Sequence, residues 1–265
     1  MVNAGALAGR VAVVTGVSRR IGIGYAIARR LASDGADVFV QSWTEHDAEQ
    51  PWGADPAGID AVIESLRSEI PEVGGRIAHL EADFEHPLSP RAVIESAVGE
   101  FGAVDILVAN HARSSHQGIG QLTADELNKS LAVNVTATIL LVQAFANLHD
   151  DSRPGGRVVL FSSAQHLVPM AEEIPYIAGK GALVELTKSL ASALVRRGIM
   201  VNCINPGGTD TGYASEEFRQ KVIAEHPQGR WGEPDDAARL IAFLISDEAR
   251  WVTGQIINSD GGWYL

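Results

Sequence analysis

The sequence predicts a single α/β domain of the doubly wound, Rossmann type: a seven-stranded parallel sheet with helices on both faces. Three observations predict it. Short β-branched apolar runs alternate with amphipathic stretches along the chain, a glycine-rich turn follows the first run, and 265 residues, 46% of them hydrophobic, suit one large core rather than two cramped ones.

The apolar runs at 10–15, 37–41, 76–80, 105–109, 157–161, 199–204 and 255–258 read as short buried strands, because both faces of a parallel strand are covered. Helical patterns lie between them at about 22–33, 58–70, 88–101, 124–149, 176–197 and 235–246, several with Ser, Thr or Asp at the capping position. Parallel neighbours need right-handed crossovers, so this alternation puts helices on both faces. The whole of 1–265 is then one domain, with a cofactor half at about 9–150 and a catalytic and substrate half at about 151–265. Two segments exceed ordinary loops: 42–57, containing WTEHDAEQPWGADPA, and 207–230, which carries a short helical patch at 215–225. Long loops at strand ends are where α/β proteins bind ligands.

Composition narrows the partners. A net charge of −12 argues against nucleic acid or an anionic membrane, which call for clustered Lys and Arg. The single Cys203, inside an apolar run, excludes an internal disulfide framework and a cysteine-rich metal site, so no metal is expected. The start MVNAGALAGR lacks the pattern of a secretory signal, and the expected location is the cytoplasm.

After the first strand comes TGVSRRIGIG, with Gly16, Gly22 and Gly24, then a helix. Glycine allows close backbone approach to a pyrophosphate, and the helix aims unpaired N–H groups at the anion. The candidate contacts here are Gly16, Ser18, Arg19, Arg20, Gly22, Ile23 and Gly24. NAD-preferring sites place an acid at the end of the second strand. Here that strand ends in Gln41, Ser42 and Trp43, with Ser42 and Trp43 as candidate cofactor contacts, and Arg19 or Arg20 could pair with a 2′-phosphate, so NADP(H) is favoured over NAD(H).

Tyr176 and Lys180 stand four residues apart in YIAGK, on one face of a helix. A tyrosine titrates near pH 10, so service as a base near pH 7 needs roughly 4 kcal/mol of preferential phenolate stabilisation. An ammonium about 4 Å away supplies about that much at an effective dielectric near 20. Upstream, the strand VVLF runs into Ser162 and Ser163, and Ser163 can donate to a substrate oxygen. Asn134 is the strongly polar side chain within the apolar part of the 124–149 helix, as either a site residue or a buried packing amide.

With these residues in place, the chain resembles the short-chain dehydrogenase/reductase family from about Gly9 to the terminal DGGWYL. Its markers are TGVSRRIGIG, Asp83, LVANHA, LAVNV, FSS, YIAGK, INPGGTDT, GRWGEP and VTGQIINSDGG. The resemblance implies hydride transfer to or from a nicotinamide and a tetrad of Asn134, Ser163, Tyr176 and Lys180. Tyr176 would exchange the proton, Lys180 would lower its pKa and hold the nicotinamide ribose, Ser163 would polarise the carbonyl, and Asn134 would hold a relay water. It further implies cofactor contacts from Asp83, Phe84, Asn110, His111, Ala112, Pro206, Gly207, Thr209 and Thr211, with Gln165 and Tyr213 beside Ser163 and Tyr176 on the substrate side. A homotetramer or homodimer is implied as well.

Two departures stand out. Five residues separate Gly16 from Gly22 where the family usually has three, as in its enoyl-carrier-protein reductase branch. That branch spaces its Tyr and Lys by six residues, and position 182 here is Ala, so carbonyl chemistry is expected. The other departure is ANHA at 109–112 in place of NNAG, which sets His111 near the cofactor as a packing residue. Within the family, the chain is similar to bacterial members labelled 3-oxoacyl-carrier-protein reductases, including their tryptophan-bearing insert. The expected activity is interconversion of a small-molecule carbonyl and alcohol, with a 3-oxoacyl thioester or a related ketone among the candidate substrates. A non-catalytic NADP(H)-binding regulator and a nucleotide-sugar epimerase or dehydratase are the alternatives.

Overall fold

The computed structural model describes residues 5–70, 75–153 and 155–265. All seven expected strands form: β1 (Val11–Thr15), β2 (Asp37–Ser42), β3 (Ile77–Glu81), β4 (Ile106–Ala109), β5 (Arg157–Phe161), β6 (Met200–Asn205) and β7 (Ile256–Asn258). They pair in parallel in the order β3-β2-β1-β4-β5-β6-β7. The chain reverses its direction of travel across the sheet between β1 and β4, and the crevice beyond their carboxyl ends is where such sheets bind ligands.

The helices are α1 (Ile23–Ser33), α2 (Thr44–Glu49), α3 (Gly58–Glu69), α4 (Ser89–Phe101), α5 (Ala124–Leu131), α6 (Thr138–Leu148), α7 (Ile174–Leu194), α8 (Glu216–Glu225) and α9 (Pro234–Ile245). Strand side chains alternate between two cores. Ala12, Val14, Val40 and Val108 pack under α1, α3 and α9, through residues such as Ile27, Leu66 and Ile241. Val13, Leu107, Leu160 and Cys203 face α4 and α6, against Ile94, Leu141 and Phe145. The far rim of the sheet is closed by Asp105, which accepts from Val11 N and both ends of the Arg153 guanidinium.

Three elements differ from the sequence reading. The expected helix over 124–149 is broken into α5, a π-helical stretch at Ala132–Ala137 and α6. At the end of the π-helical stretch the Thr138 hydroxyl donates to the Asn134 carbonyl four residues back at 3.0 Å. Ala124–Leu148 is long and apolar enough to cross a membrane, but here it is a core helix packed on α4 and β4. The helix bearing Tyr176 begins two residues early, at Ile174, because Pro175 fits a first turn where no N–H partner is needed. The segment 42–57 contains α2, six residues with no buried side chain and hence no apolar stripe to reveal it.

Candidate active site

β1 delivers the chain to Gly16 at φ +74°, where a Cβ would stand 2.9 Å from the His111 Cα. At Gly24 a Cβ would lie 2.4 Å from the Gly16 carbonyl oxygen. Only glycine permits a turn pressed this closely on the end of β4. Asn110 fastens it, donating to the Thr15 and Gly16 carbonyls at 3.0 and 3.2 Å, while the Gln41 amide oxygen accepts from Gly16 N at 3.1 Å. Gly22 caps α1 without a side chain, so the first-turn N–H groups of the helix remain available to an anion.

From this turn a cleft of about 370 Å³ runs to the ends of β5 and β6. Ser18, Arg19, Gly22, Ile23 and Gly24 line one side, and Pro206, Gly207, Thr209 and Thr211 the other. Ser163, Tyr176 and Tyr213 stand at its catalytic end. An adjoining hollow shares Gly16, Ser18, Asn110 and Ala112, and adds Trp43, Asp83, Phe84 and His111. The narrow glycine cradle, the open helix terminus and the continuous crevice fit a dinucleotide; the resemblance implies an orientation with the adenosine toward Asp83 and the nicotinamide toward Tyr176.

Besides Lys180, four of the sequence-derived site residues do not line the cleft or the adjoining hollow. Ser42 is buried and its hydroxyl meets His79 Nε2 at 2.8 Å, because alternation on β2 turns position 41, not 42, toward the glycine turn. Arg20 points to solvent and clasps Asp55 at 2.7 and 3.0 Å, leaving Arg19 as the guanidinium of the pair that lines the cleft. Gln165 sits behind Ser163, its amide oxygen accepting from Ser163 N at 3.0 Å. Its Nε2 is buried without a partner among the described residues. Asn134 lies in the π-helical stretch with its side chain fully used: Oδ1 accepts from Arg113 N at 2.9 Å, and Nδ2 donates to the Arg113 carbonyl and the Ser130 hydroxyl at 3.0 and 3.1 Å. Its side chain therefore fixes the loop after β4.

Tyr176, in the first turn of α7, and Ser163, just past β5, meet where the sheet ends. Burial pushes the Tyr176 phenol up to about 12, and the Ser163 hydroxyl beside it works in the opposite direction. Lys180 is buried below them, donating to the Phe161 carbonyl at 3.0 Å, with Nζ 5.7 Å from the Tyr176 ring centroid. Burial also draws its ammonium down to about 8. Burial thus works against the expected drop of the phenol, and the ammonium is held against a carbonyl under the ring. Tyr176 is a protonated phenol at pH 7.

His111 behaves as the packing residue expected. Its Nδ1 lies 2.8 Å from the Thr15 hydroxyl, its Nε2 3.1 Å from the Val133 carbonyl, and its ring is edge-on to Phe84 with centroids 4.5 Å apart. Donation to the carbonyl assigns the Nε2–H tautomer, and burial, aided by Lys180, holds the imidazole neutral at about 3.

The sequence reading missed Asp47, Trp52, Glu173 and His116, all of which line the cleft. Glu173 is the half-buried residue just before α7, and burial raises its carboxyl pKa. Its position, three residues before Tyr176 at a helix start, is the one available signal. Asp47 and Trp52 belong to the insert, where nothing but polarity and a lone tryptophan marks them.

The family model described as Enoyl-(Acyl carrier protein) reductase matches residues 16–264. An uncharacterized oxidoreductase of Bacillus subtilis is 38% identical over 255 residues, 96% of each chain. Among solved structures, a short-chain dehydrogenase/reductase from Serratia marcescens superposes with a TM-score of 0.85 at 32% identity, covering 98% of this chain and all of that one. A short chain dehydrogenase from Burkholderia cenocepacia in complex with NADP gives 0.84 at 34% identity over the same shares. A Rossmann sheet whose switch-point crevice holds the Ser163, Tyr176 and Lys180 constellation, matched end to end by these proteins, makes this chain a member of the short-chain dehydrogenase/reductase family of oxidoreductases.

Proposed function

We propose that the chain is an NADP(H)-dependent reductase of a moderately polar ketone, working through Tyr176. The observation that carries this reading is a protonated phenol and a serine hydroxyl at the nicotinamide end of a dinucleotide-shaped crevice. A bound nicotinamide supplies the hydride. Ser163 donates to the carbonyl oxygen, and Tyr176 releases its proton to the same oxygen as negative charge develops there. The alkoxide is a far stronger base than a phenolate of pKa about 12, so the transfer runs downhill. Lys180 remains beneath the ring to stabilise the phenolate that results.

Several observations support the finer points. β2 ends without a carboxylate and Arg19 lines the cleft, which supports NADP(H). The four-residue interval from Tyr176 to Lys180, with Ala182 two positions on, supports carbonyl over enoyl reduction. Glu173, His116 and the edge of Tyr213 give the substrate side a mixed lining that suits a polar ketone or a 3-oxoacyl thioester. A serine hydroxyl and a phenol gathered at one end of the cleft above a buried ammonium favour an enzyme over a non-catalytic NADP(H) regulator. We also propose a cytoplasmic homotetramer, whose mass light scattering of the purified protein measures.

Fluorescence titration with NADPH and NADH, followed by a carbonyl panel read at the nicotinamide band, tests the proposal. Tighter NADPH binding and ketone turnover are expected, with reduction flat between about pH 6 and 8 and the reverse oxidation rising up to about tenfold per pH unit, since only oxidation needs phenolate. NADH binding as tight as NADPH would refute the cofactor preference, and failure on every carbonyl would refute the reductase.

A further inference from the structure

The insert 42–57 lies along the ribose end of the cleft and is pinned to the glycine turn by two carboxylates. Arg20 clasps Asp55 outside the cleft. Inside it, Asp47 accepts the Ser18 hydroxyl through Oδ2, and its Oδ1 lies 3.9 Å from Arg19 Nε. These are not solvated surface groups, for the side chains of Arg19 and Asp47 are 13% and 15% exposed. Asp47 lines both the main cleft and the adenosine hollow. Arg113, the guanidinium on the far side of that hollow, is engaged by Glu126 at 2.8 and 2.9 Å and by Glu85 at 3.1 Å. Among the described residues, the guanidinium groups that line or flank this end are therefore all matched to carboxylates.

Ser18 and Arg19 are the donor set that a phosphate on the adenosine ribose requires: one hydroxyl and one guanidinium at a glycine turn. Asp47 already has both. We infer that Asp47 stands in for the 2′-phosphate of the cofactor and thereby weakens the chain's preference for NADP(H) over NAD(H). The inference deepens the proposed function and rests on its placement of a nicotinamide dinucleotide in this cleft.

A hydroxyl donates one hydrogen, so Ser18 serves the carboxylate or the phosphate, not both. A carboxylate that stayed would also repel the incoming dianion at short range. A ribose 2′-hydroxyl meets neither obstacle, because it donates to Asp47 where the carboxylate stands. Arg19 is fixed independently of Asp47: its Nη1 donates to the Thr211 carbonyl at 3.2 Å and its guanidinium lies over Trp52 at 5.7 Å. Neutralising Asp47 therefore leaves the cation in place for the phosphate. Because α2 has no buried side chain, the exchange uncovers no core.

The test compares Asp47→Asn, Asp47→Ala and the charge-retaining Asp47→Glu with wild type, using calorimetric titration with 2′,5′-ADP and with 5′-ADP, which need no turnover. The Asn and Ala variants are expected to bind 2′,5′-ADP about tenfold more tightly, 1.4 kcal/mol, with 5′-ADP changed by less than about threefold. Asp47→Glu should keep the wild-type ratio within about threefold. Unchanged or weaker 2′,5′-ADP binding in Asp47→Asn overturns the inference, as does an equal gain for both nucleotides. Loss of 5′-ADP binding in all three variants overturns it too, by making the carboxylate a structural support. Wild-type indifference between NADPH and NADH would refute the NADP(H) preference proposed above, while this inference is read from the change in ratio on substitution.

Discussion

At the catalytic end, Lys180 and Asn134 are 2% and 1% exposed and hydrogen-bond to main-chain groups of neighbouring segments. At the ribose end, Asp47, Arg19, Arg20 and Asp55 hold one another, side chain to side chain, on an insert whose helix buries no residue. The first arrangement fixes geometry through the core, at the cost of desolvating an ammonium and a phenol. The second costs the fold little and is easily exchanged, because the helix that carries Asp47 buries no side chain against the core. On the reading proposed above, chemistry that must hold one geometry sits in the rigid half, and choice between two nucleotides sits in the adjustable half.

The sharpest way to break this contrast is Lys180→Met. Turnover should fall at least about a hundredfold, since the phenolate loses its cation. Stability at pH 7 should stay level or rise. A folded-state pKa of about 8 against 10.5 means the buried ammonium costs the fold on the order of 3 kcal/mol at neutral pH, roughly offsetting its hydrogen bond to Phe161. By the same linkage, the unfolded chain binds the extra proton between pH 8 and 10.5, so wild-type stability contributed by this group rises over that window. Urea melts at pH 7 and 9 check both statements.

A smaller effect is expected at His111, between the two ends. The unfolded imidazole takes up a proton near pH 6.5 and the folded one only near 3, so stability falls as pH drops through that interval, by up to about 1.4 kcal/mol per unit. His111→Ala should remove this acid slope. At pH 7 it should cost about 1–3 kcal/mol, because the Thr15 hydroxyl and Val133 carbonyl lose their partner. Denaturant titrations at pH 7 and 5 separate the two effects. The smallest change belongs to Arg20→Ala: NADPH affinity should stay within about twofold, because that guanidinium faces solvent and its acid partner. A tenfold loss would bring Arg20 back into the cofactor site.

The same contrast explains what could be read from sequence. All seven strands were legible because parallel strands buried on both faces leave continuous β-branched runs, and Gly16, Ser163, Tyr176 and Lys180 were legible because they sit at fixed offsets from those strands. The π-helical stretch was not, since the 124–149 pattern keeps its apolar face through the widened turn. Nor could spacing tell Arg19 from Arg20, or Gln41 from Ser42: each pair is adjacent, and the outcome depends on acids at positions 47 and 55 that only the fold brings near. The phenol's direction of shift was likewise out of reach, because burial and the carbonyl of Phe161 are tertiary facts.

The most direct test of the whole account is single-turnover reduction by Tyr176→Phe, with cofactor binding measured on the same sample. Hydride transfer should slow by about a hundredfold or more while the NADPH dissociation constant stays within about twofold, because the substitution deletes one proton donor and no nucleotide contact. A variant that kept more than about a tenth of the wild-type rate, a loss under 1.4 kcal/mol, would show that the proton comes from somewhere other than this phenol.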